Sequence, residues 1–232
     1  MNTEFDAKDF WEKKIIGWED GRYMKAESSD GIEKLANKYS SSLRFRMSTA
    51  SALLAPHVAG KKIVEIGCGS ALLAEEFIDS GAESYLGYDF AEVAVTRGNE
   101  RLREAGLSDK ARLEVASVAE LEALHADVVL SLGLFDWLTL ADIEHIFECS
   151  KGSVFLHAIS EKRLSLKQII HRLYVQITYG HKTGSYRPKY HSKDEILAIA
   201  RRHGVDQINA YRHTKLSFAT LLTSFPLPND LP

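Results

Sequence analysis

Residues 61–71 constrain the fold of this chain more than any other stretch. A short apolar run leads to the acid Glu65, and two glycines, Gly67 and Gly69, follow at alternate positions. A helical pattern over residues 71–78 begins directly after them, which is typical of a buried parallel strand that turns sharply into a helix. Glycine lets the backbone turn tightly or lie against a ligand, and the free N–H groups at a helix start attract anionic or polar ligand atoms. The stretch therefore predicts a cradle for a nucleotide-type ligand.

The spacing of the glycines separates two classes of nucleotide cradle. The dinucleotide fingerprint G-x-G-x-x-G would need a third glycine where Leu72 stands, so it does not fit. Starting from Glu65, the pattern is E-x-G-x-G-x-A, with Ala71 as the third small residue, and it resembles the first motif of the class I S-adenosylmethionine-dependent methyltransferases. An acid at the strand tip repels a pyrophosphate but attracts the ammonium and sulfonium groups of that cofactor. An ordinary strand-to-helix turn stays open as the alternative at this point.

Composition excludes several other classes of protein. The 232 residues are 45% hydrophobic and 26% charged, as in ordinary soluble globular proteins. The formal net charge of −3 gives no reason to expect general nucleic-acid affinity. Two cysteines are too few for a disulfide scaffold or a cysteine-rich zinc site. No stretch approaches the roughly twenty apolar residues of a membrane span, and the start lacks the pattern of a signal peptide, so we expect a cytoplasmic protein without a bound metal.

A second predicted strand, residues 84–90, supplies the next match. It carries Asp89 near its end, twenty residues after Gly69. A carboxylate at a strand tip can accept hydrogen bonds from both ribose hydroxyls, and the resemblance implies that role for Asp89. The adjacent Phe90 could lie against the adenine. Asp89 could also cap the helix that starts at Ala91, and the two roles are compatible.

The resemblance implies further contacts to the cofactor beyond the third and fourth predicted strands, residues 111–115 and 126–133. Many members carry an acid where Ser117 stands, so here the hydroxyl, or the backbone of Ser117 and Val118, would meet the adenine. The end of the fourth strand faces the methyl group in this family. The predicted S-adenosylmethionine-binding residues are Glu65, Gly67, Cys68, Gly69, Asp89, Phe90, Ser117, Val118, Ser131 and Gly133.

The residues after the fourth strand bear on the methyl acceptor. Enzymes that methylate base or amide nitrogens place Asn/Asp-Pro-Pro-Tyr/Phe there, whereas residues 131–134 read Ser-Leu-Gly-Leu. Oxygen is therefore the favoured acceptor. A hydroxyl acceptor needs a base, and the candidates are Asp136, His157 and His191; a carboxylate acceptor would need none. Asp136 could instead cap the following helix.

Residues 161–191 are the least generic part of the chain. They contain seven lysines and arginines, one acid, three histidines and four tyrosines. Class I methyltransferases commonly carry substrate-recognition insertions at this point, and such a composition suits a small molecule that bears a carboxylate or phosphate. A solvated amphipathic helix is the alternative interpretation.

The N-terminal residues 1–57 predict two helices, over residues 8–26 and 31–57, the second broken near residues 40–42. In the resembled family an aromatic-rich N-terminal segment often forms a lid, for which Trp18 and Tyr23 are candidates. Residues 58–225 would then form the methyltransferase domain with the insertion 161–191, and residues 226–232 a tail.

The alternation of strands and helices predicts a doubly wound α/β sheet. The resemblance implies the Rossmann-like methyltransferase fold, with seven mostly parallel strands and an antiparallel last strand. We expect an S-adenosylmethionine-dependent methyltransferase that acts on a small anionic molecule, by O-methylation. The alternatives are a methyltransferase that acts on protein or RNA, a dehydrogenase, and a non-catalytic S-adenosylmethionine-binding protein. The sequence leaves a homodimer open.

Overall fold

The computed structural model describes residues 7–22, 31–162 and 189–228. Strands and helices alternate along most of this part of the chain. The strands are β1 (Lys62–Ile66), β2 (Ser84–Asp89), β3 (Ala111–Val115), β4 (Val128–Leu132), β5 (Val154–Ser160), β6 (Asn209–Tyr211) and β7 (Ala219–Thr223). The helices are α1 (Ala7–Arg22), α2 (Gly31–Leu54), α3 (Ala74–Asp79), α4 (Glu92–Glu104), α5 (Leu140–Cys149) and α6 (Lys193–Arg202). No helix among the described residues is long and apolar enough to cross a bilayer.

The seven strands form one sheet in the order β3-β2-β1-β4-β5-β7-β6. The pairs from β3 to β5 are parallel, and β7 is antiparallel to both β5 and β6. This confirms the predicted doubly wound sheet with an antiparallel last strand. The chain moves outward from β1 to β3 and then returns to place β4 against the other side of β1. A crevice therefore opens at the carboxyl ends of β1 and β4, which is where ligands bind in open α/β sheets.

Successive residues of β1 point to opposite faces of the sheet and enter different apolar layers. Ile63 belongs to the layer that includes α2, α3 and α4, whereas Val64 belongs to the layer under α5 and α6. Because both faces are covered, the central strands are apolar throughout rather than alternating. Glu65 has the parity of Ile63, so its side chain enters the first layer, where Tyr85 of β2 meets it.

Two helices differ in their bounds from the sequence prediction. The helix after the glycine turn begins at Ala74 rather than residue 71, because Ala71 has a φ of +53° and still belongs to the turn. The predicted break near residues 40–42 is wrong, since α2 runs unbroken from Gly31 to Leu54; serine lowers helix propensity only slightly. Thr139 and Ser192 cap α5 and α6, and each accepts a hydrogen bond from a backbone N–H in the first turn of its helix.

Candidate functional site

A pocket of about 130 Å³ lies at the carboxyl ends of β1 and β4, under helix α1. Its lining brings together most of the residues that the sequence predicts for the cofactor. These are Glu65, Gly67, Cys68, Gly69, Asp89, Phe90 and Gly133. The acids Glu65 and Asp89, from two neighbouring strands, therefore share one crevice.

The glycine turn after β1 forms the pocket floor, and its geometry requires glycine. Gly67 and Gly69 have φ values of +69° and +55°, in the left-handed region that side chains disfavour. A Cβ on Gly67 would lie 3.0 Å from a methyl carbon of Leu134. The N–H groups of Gly67 and Cys68 both donate to the carbonyl of Tyr88, at 2.7 and 3.1 Å, which ties the turn to β2.

Asp89 is buried, and the backbone holds both of its carboxylate oxygens. Oδ2 accepts from the N–H of Gly69 at 2.8 Å, and Oδ1 accepts from the N–H of Ala91 at 2.9 Å. Desolvation raises the pKa of Asp89, while the backbone hydrogen bonds oppose that shift. The bond from Ala91 lies before the first turn of α4, whose N-cap is Ala91 itself without a side-chain capping bond, so the predicted capping role of Asp89 is wrong. Each oxygen keeps a further lone pair for a ligand hydroxyl.

Glu65 is the most strongly perturbed acid of the pocket. Burial raises its pKa to about 8; a hydrogen bond from the Tyr85 hydroxyl opposes this, and the charges of Asp89 and Glu19 add to it. A carboxyl in this state holds its proton near neutral pH. A cationic ligand group would favour the ionised form and lower the pKa again.

Helix α1 forms the roof of the pocket. Trp11, Ile15 and Glu19 line the cavity from this helix, and the Trp11 ring lies edge-on to Trp137 with centroids 5.1 Å apart. Helix α1 thus covers the pocket, and its role as a lid stays a prediction. Of the lid candidates, the side chain of Trp18 and the whole of Tyr23 lie outside the described residues, as do residues 163–188 of the predicted insertion.

Three acids of α1 hold the roof in place, and sequence reasoning missed all of them. Glu12 accepts hydrogen bonds from the N–H groups of Glu92 and Val93 at the start of α4, at 2.8 and 2.9 Å. Asp20 pairs with Arg97 of α4 at 2.6 Å. Positions 12, 19 and 20 fall on one side of a helix, so their spacing is the signal that could have found them.

Glu19 is the third of these acids and lies on the glycine turn itself. It is buried, and its carboxylate accepts from the Ser70 N–H at 2.9 Å and from the Ser70 hydroxyl at 2.7 Å. A Cβ on Gly69 would collide with Glu19 Oε1. Glu19 therefore joins Glu65 and Asp89 as a third carboxylate in the pocket lining.

Arg46 of α2 is a buried cation beside the pocket that sequence reasoning also missed. Its guanidinium lies flat over Gly133, with Nη2 3.0 Å from the position that a Cβ would take there. Its Nε is buried and has no hydrogen-bond partner among the described residues. The charge of Arg46 acts on the buried Asp136, and a buried guanidinium also favours an anionic ligand group at the neighbouring pocket.

Three predicted cofactor contacts lie outside the pocket lining. The N–H and hydroxyl of Ser117 both donate to Glu120 at 2.7 Å, in a capping box for the short turn that contains Val118. Ser131 is fully buried within β4, and its hydroxyl hydrogen-bonds to His157 Nδ1 at 2.9 Å. The roles predicted for these three residues stay predictions.

The predicted bases lie outside the pocket lining, with Asp136 after β4, His157 in the middle of β5 and His191 just before α6. Asp136 accepts from the N–H and hydroxyl of Ser160 at 2.8 and 2.7 Å, and burial raises its pKa. His191 Nε2 hydrogen-bonds to the Phe135 carbonyl at 3.0 Å. His157 is fully buried, and desolvation lowers its pKa to about 3. Each side chain has a structural partner, and each catalytic role stays a prediction.

Residues 63–152, from β1 to the residues just before β5, match the family model described as a methyltransferase domain. This part of the chain is a methyltransferase domain. Methyltransferases of this fold take the methyl group from S-adenosylmethionine, so the domain implies that cofactor.

Curated methyltransferases share part of their length with this domain. The chain is 34% identical over 109 residues to a ribosomal protein L11 methyltransferase of Alteromonas mediterranea, matching 47% of this chain and 37% of that protein. It is 29% identical over 157 residues to a ubiquinone biosynthesis O-methyltransferase of Nitrosospira multiformis, matching 64% of each chain. The chain thus spans between about a third and two thirds of the length of the curated relatives it matches.

A solved structure shares the fold of this methyltransferase domain over nearly the whole chain. It is the magnesium protoporphyrin IX methyltransferase of Synechocystis PCC 6803 with bound SAH, at a TM-score of 0.66 and 16% identity. The match covers 93% of this chain and 96% of that protein. At this identity the likeness shows the fold.

Proposed function

We propose that the chain transfers the methyl group of S-adenosylmethionine to an oxygen atom of a small, anionic acceptor. The observation that carries this proposal is the pairing of Glu65 and Asp89 in one crevice, above a glycine turn and beside a buried guanidinium. This arrangement complements an adenosyl amino acid, which carries a diol, an ammonium, a sulfonium and a carboxylate.

Each polar group of the cofactor has a matching side chain at the pocket. Asp89 accepts hydrogen bonds from the ribose hydroxyls, and Glu65 receives the methionyl ammonium as it ionises. The cofactor has one carboxylate, and Arg46 is the buried guanidinium next to the pocket wall. Because a carboxylate would be repelled by the acids of the lining, it binds on the Arg46 side.

The residues around the pocket also prepare the displacement reaction. The methyl carbon forms a bond to the acceptor oxygen while its bond to sulfur breaks, and the electron pair stays on sulfur, which becomes an uncharged thioether. Trp11, Leu134 and Trp137 give the pocket apolar walls. These walls exclude water and hold the reacting atoms in line, which is how the protein lowers the barrier.

Two observations support the proposed class of methyl acceptor. One curated relative is named for O-methylation in ubiquinone biosynthesis, and the segment 161–191 has seven cations against one acid. A hydroxyl acceptor must lose a proton. Asp136 is the base we propose for this step, because burial raises its pKa toward the range in which a carboxylate accepts protons effectively.

Two assays test the proposal. Isothermal titration should show micromolar binding of S-adenosylmethionine, no comparable binding of NAD, and loss of binding in Asp89→Ala. Incubation of a lysate with the labelled cofactor, followed by separation by size, should place the label in the small-molecule fraction. A preference for NAD would contradict the methyltransferase function, and label confined to protein or RNA would contradict the proposed acceptor class.

A further inference from the structure

The pocket lining contains a third carboxylate, that of Glu19, which lies outside the matched residues 63–152. Glu65 and Asp89 follow β1 and β2, whereas Glu19 enters from the roof helix α1. None of the described residues that line the pocket is a lysine or arginine. The lining is therefore acidic beyond what the ribose and ammonium of a cofactor need.

The carboxylate of Glu19 makes no direct ion pair among the described residues, although the charge of Arg97 on α4 acts on it from farther away. Its hydrogen bonds among the described residues come from the N–H and hydroxyl of Ser70. The neighbouring Asp20, by contrast, pairs directly with Arg97 at 2.6 Å. A buried carboxylate whose direct donors are all neutral favours a positive ligand group in the same cavity, because a buried charge without a direct ionic partner is costly.

The charges of the cofactor and of its product differ at one atom. S-adenosylmethionine has an ammonium, a sulfonium and a carboxylate, whereas the product after methyl transfer has an uncharged sulfur. The net charge therefore falls from plus one to zero when the reaction occurs. A pocket with surplus negative charge holds the first form more tightly than the second.

We propose that Glu19 makes the pocket discriminate the sulfonium cofactor from its thioether product, so that methyl transfer itself weakens the hold of the pocket on the ligand. This inference rests on the proposed function and assigns Glu19 as a specificity-determining residue for the cofactor. It also gives α1 a part in the chemistry of the site besides covering it.

The test compares two ligands on variants of the whole chain. Isothermal titration with S-adenosylmethionine and with S-adenosylhomocysteine gives a ratio of dissociation constants for each protein. In Glu19→Gln, which retains an acceptor for Ser70, we expect affinity for the cofactor to fall about tenfold and affinity for the product to change less than about twofold.

Two control variants distinguish the effect of the Glu19 charge on the ligand from the effect of a weaker attachment of α1 to the domain. Asp20→Asn removes the same charge from the next residue, at an ion pair with Arg97, and should leave the ratio as in the native chain. Glu12→Gln weakens the attachment of α1 to α4 without altering the pocket lining, and should lower both affinities by a similar factor.

Three outcomes overturn the inference. If Glu19→Gln weakens both ligands equally, Glu19 serves only to hold α1, and if it weakens neither, its charge does not reach the ligand. If the native chain binds neither ligand, the proposed function fails together with this inference, which the first two outcomes do not imply. Circular dichroism of each variant checks that the fold is retained.

Discussion

The backbone N–H of Gly69 donates a hydrogen bond to Asp89 Oδ2 over 2.8 Å, which joins the glycine turn after β1 to the end of β2. The second oxygen of Asp89 accepts from the N–H of Ala91 at the start of α4. Both bonds fix the orientation of the carboxylate before any ligand arrives. A side chain that is already oriented loses little entropy on binding, which raises affinity.

Asp89→Asn should weaken binding of S-adenosylmethionine about 10- to 100-fold, the usual effect of losing hydrogen bonds to a charged group. The amide keeps the shape of the side chain but offers the ribose one acceptor oxygen instead of two. Isothermal titration measures the change. The control is Asp109→Asn, an exposed position before β3, which should bind as the native chain does. Equal affinities in all three proteins would show that Asp89 is not a ligand contact.

Gly69→Ala should impair cofactor binding, whereas Gly106→Ala should not. Both glycines have positive φ values, of +55° and +72°, so each substitution should lower the free energy of unfolding by about 1–2 kcal/mol. Only at Gly69 would the new Cβ meet a side chain, Glu19, while the space around Gly106 is open. Chemical denaturation and titration measure the two effects. Matching cofactor affinities for the two variants would contradict a role of this turn in the site.

The buried Glu65 should make the ligand-free protein less stable as the pH rises. Its folded pKa of about 8 lies above the ordinary glutamate pKa of 4.5, so the folded state holds a proton that the unfolded state releases. The stabilisation is complete below about pH 4.5 and is lost as the pH rises through about 8. Relative to the native chain, Glu65→Gln should therefore gain stability over this window, on the order of 5 kcal/mol.

Denaturant unfolding of both proteins at several pH values measures that difference. A difference that does not vary between pH 5 and 8 would contradict the raised pKa of Glu65. Binding of a cationic ligand should also release a proton near pH 7, which titration in buffers of different ionisation enthalpy detects.

His157 should make the protein less stable as the pH falls, which is the opposite of the effect of Glu65. Burial lowers its folded pKa from 6.5 to about 3, so the unfolded state binds a proton that the folded state excludes. Stability should therefore fall as the pH drops from about 6.5 toward 3. His157→Asn removes this term, and its stability relative to the native chain should rise across the same window. A constant difference in acid unfolding experiments would refute this origin of acid sensitivity.

Arg46→Gln should lower affinity for S-adenosylmethionine by about tenfold or more without lowering the stability of the fold. The guanidinium is buried, and its Nε has no hydrogen-bond partner among the described residues, so its removal relieves a desolvation cost that offsets the lost attraction to Asp136. Titration and chemical denaturation measure the two quantities. Arg103→Gln, at an exposed position of α4, is the matched control. A loss of stability with unchanged affinity would assign Arg46 a purely structural role.

The sheet and the glycine turn after β1 could be predicted from the sequence because their signals are local. The run that ends in Glu65, the alternating glycines and the second acid Asp89 each depend on a few neighbouring residues. The start of α3 was misplaced because Ala71 takes a left-handed conformation that its residue type disfavours. The residue type of Ala71 therefore gives no signal of the positive φ that it has in the folded chain.

Glu12, Glu19 and Arg46 could not be found in the same way. On a helix, charged residues of this kind usually face solvent, and their partners here lie 20 or more residues away in sequence or on another element. Ser117 shows the reverse error, because its local capping box uses the groups that the resemblance assigned to the adenine. Local hydrogen bonding competed with the predicted role.

Crystallography of the whole chain with S-adenosylhomocysteine tests the central claim most directly. The account predicts density in the crevice between β1, β2 and α1, with the ribose hydroxyls within hydrogen-bond distance of Asp89 and the ammonium next to Glu65. Density for the ligand at another place, or an unchanged crevice at saturating ligand, would contradict it.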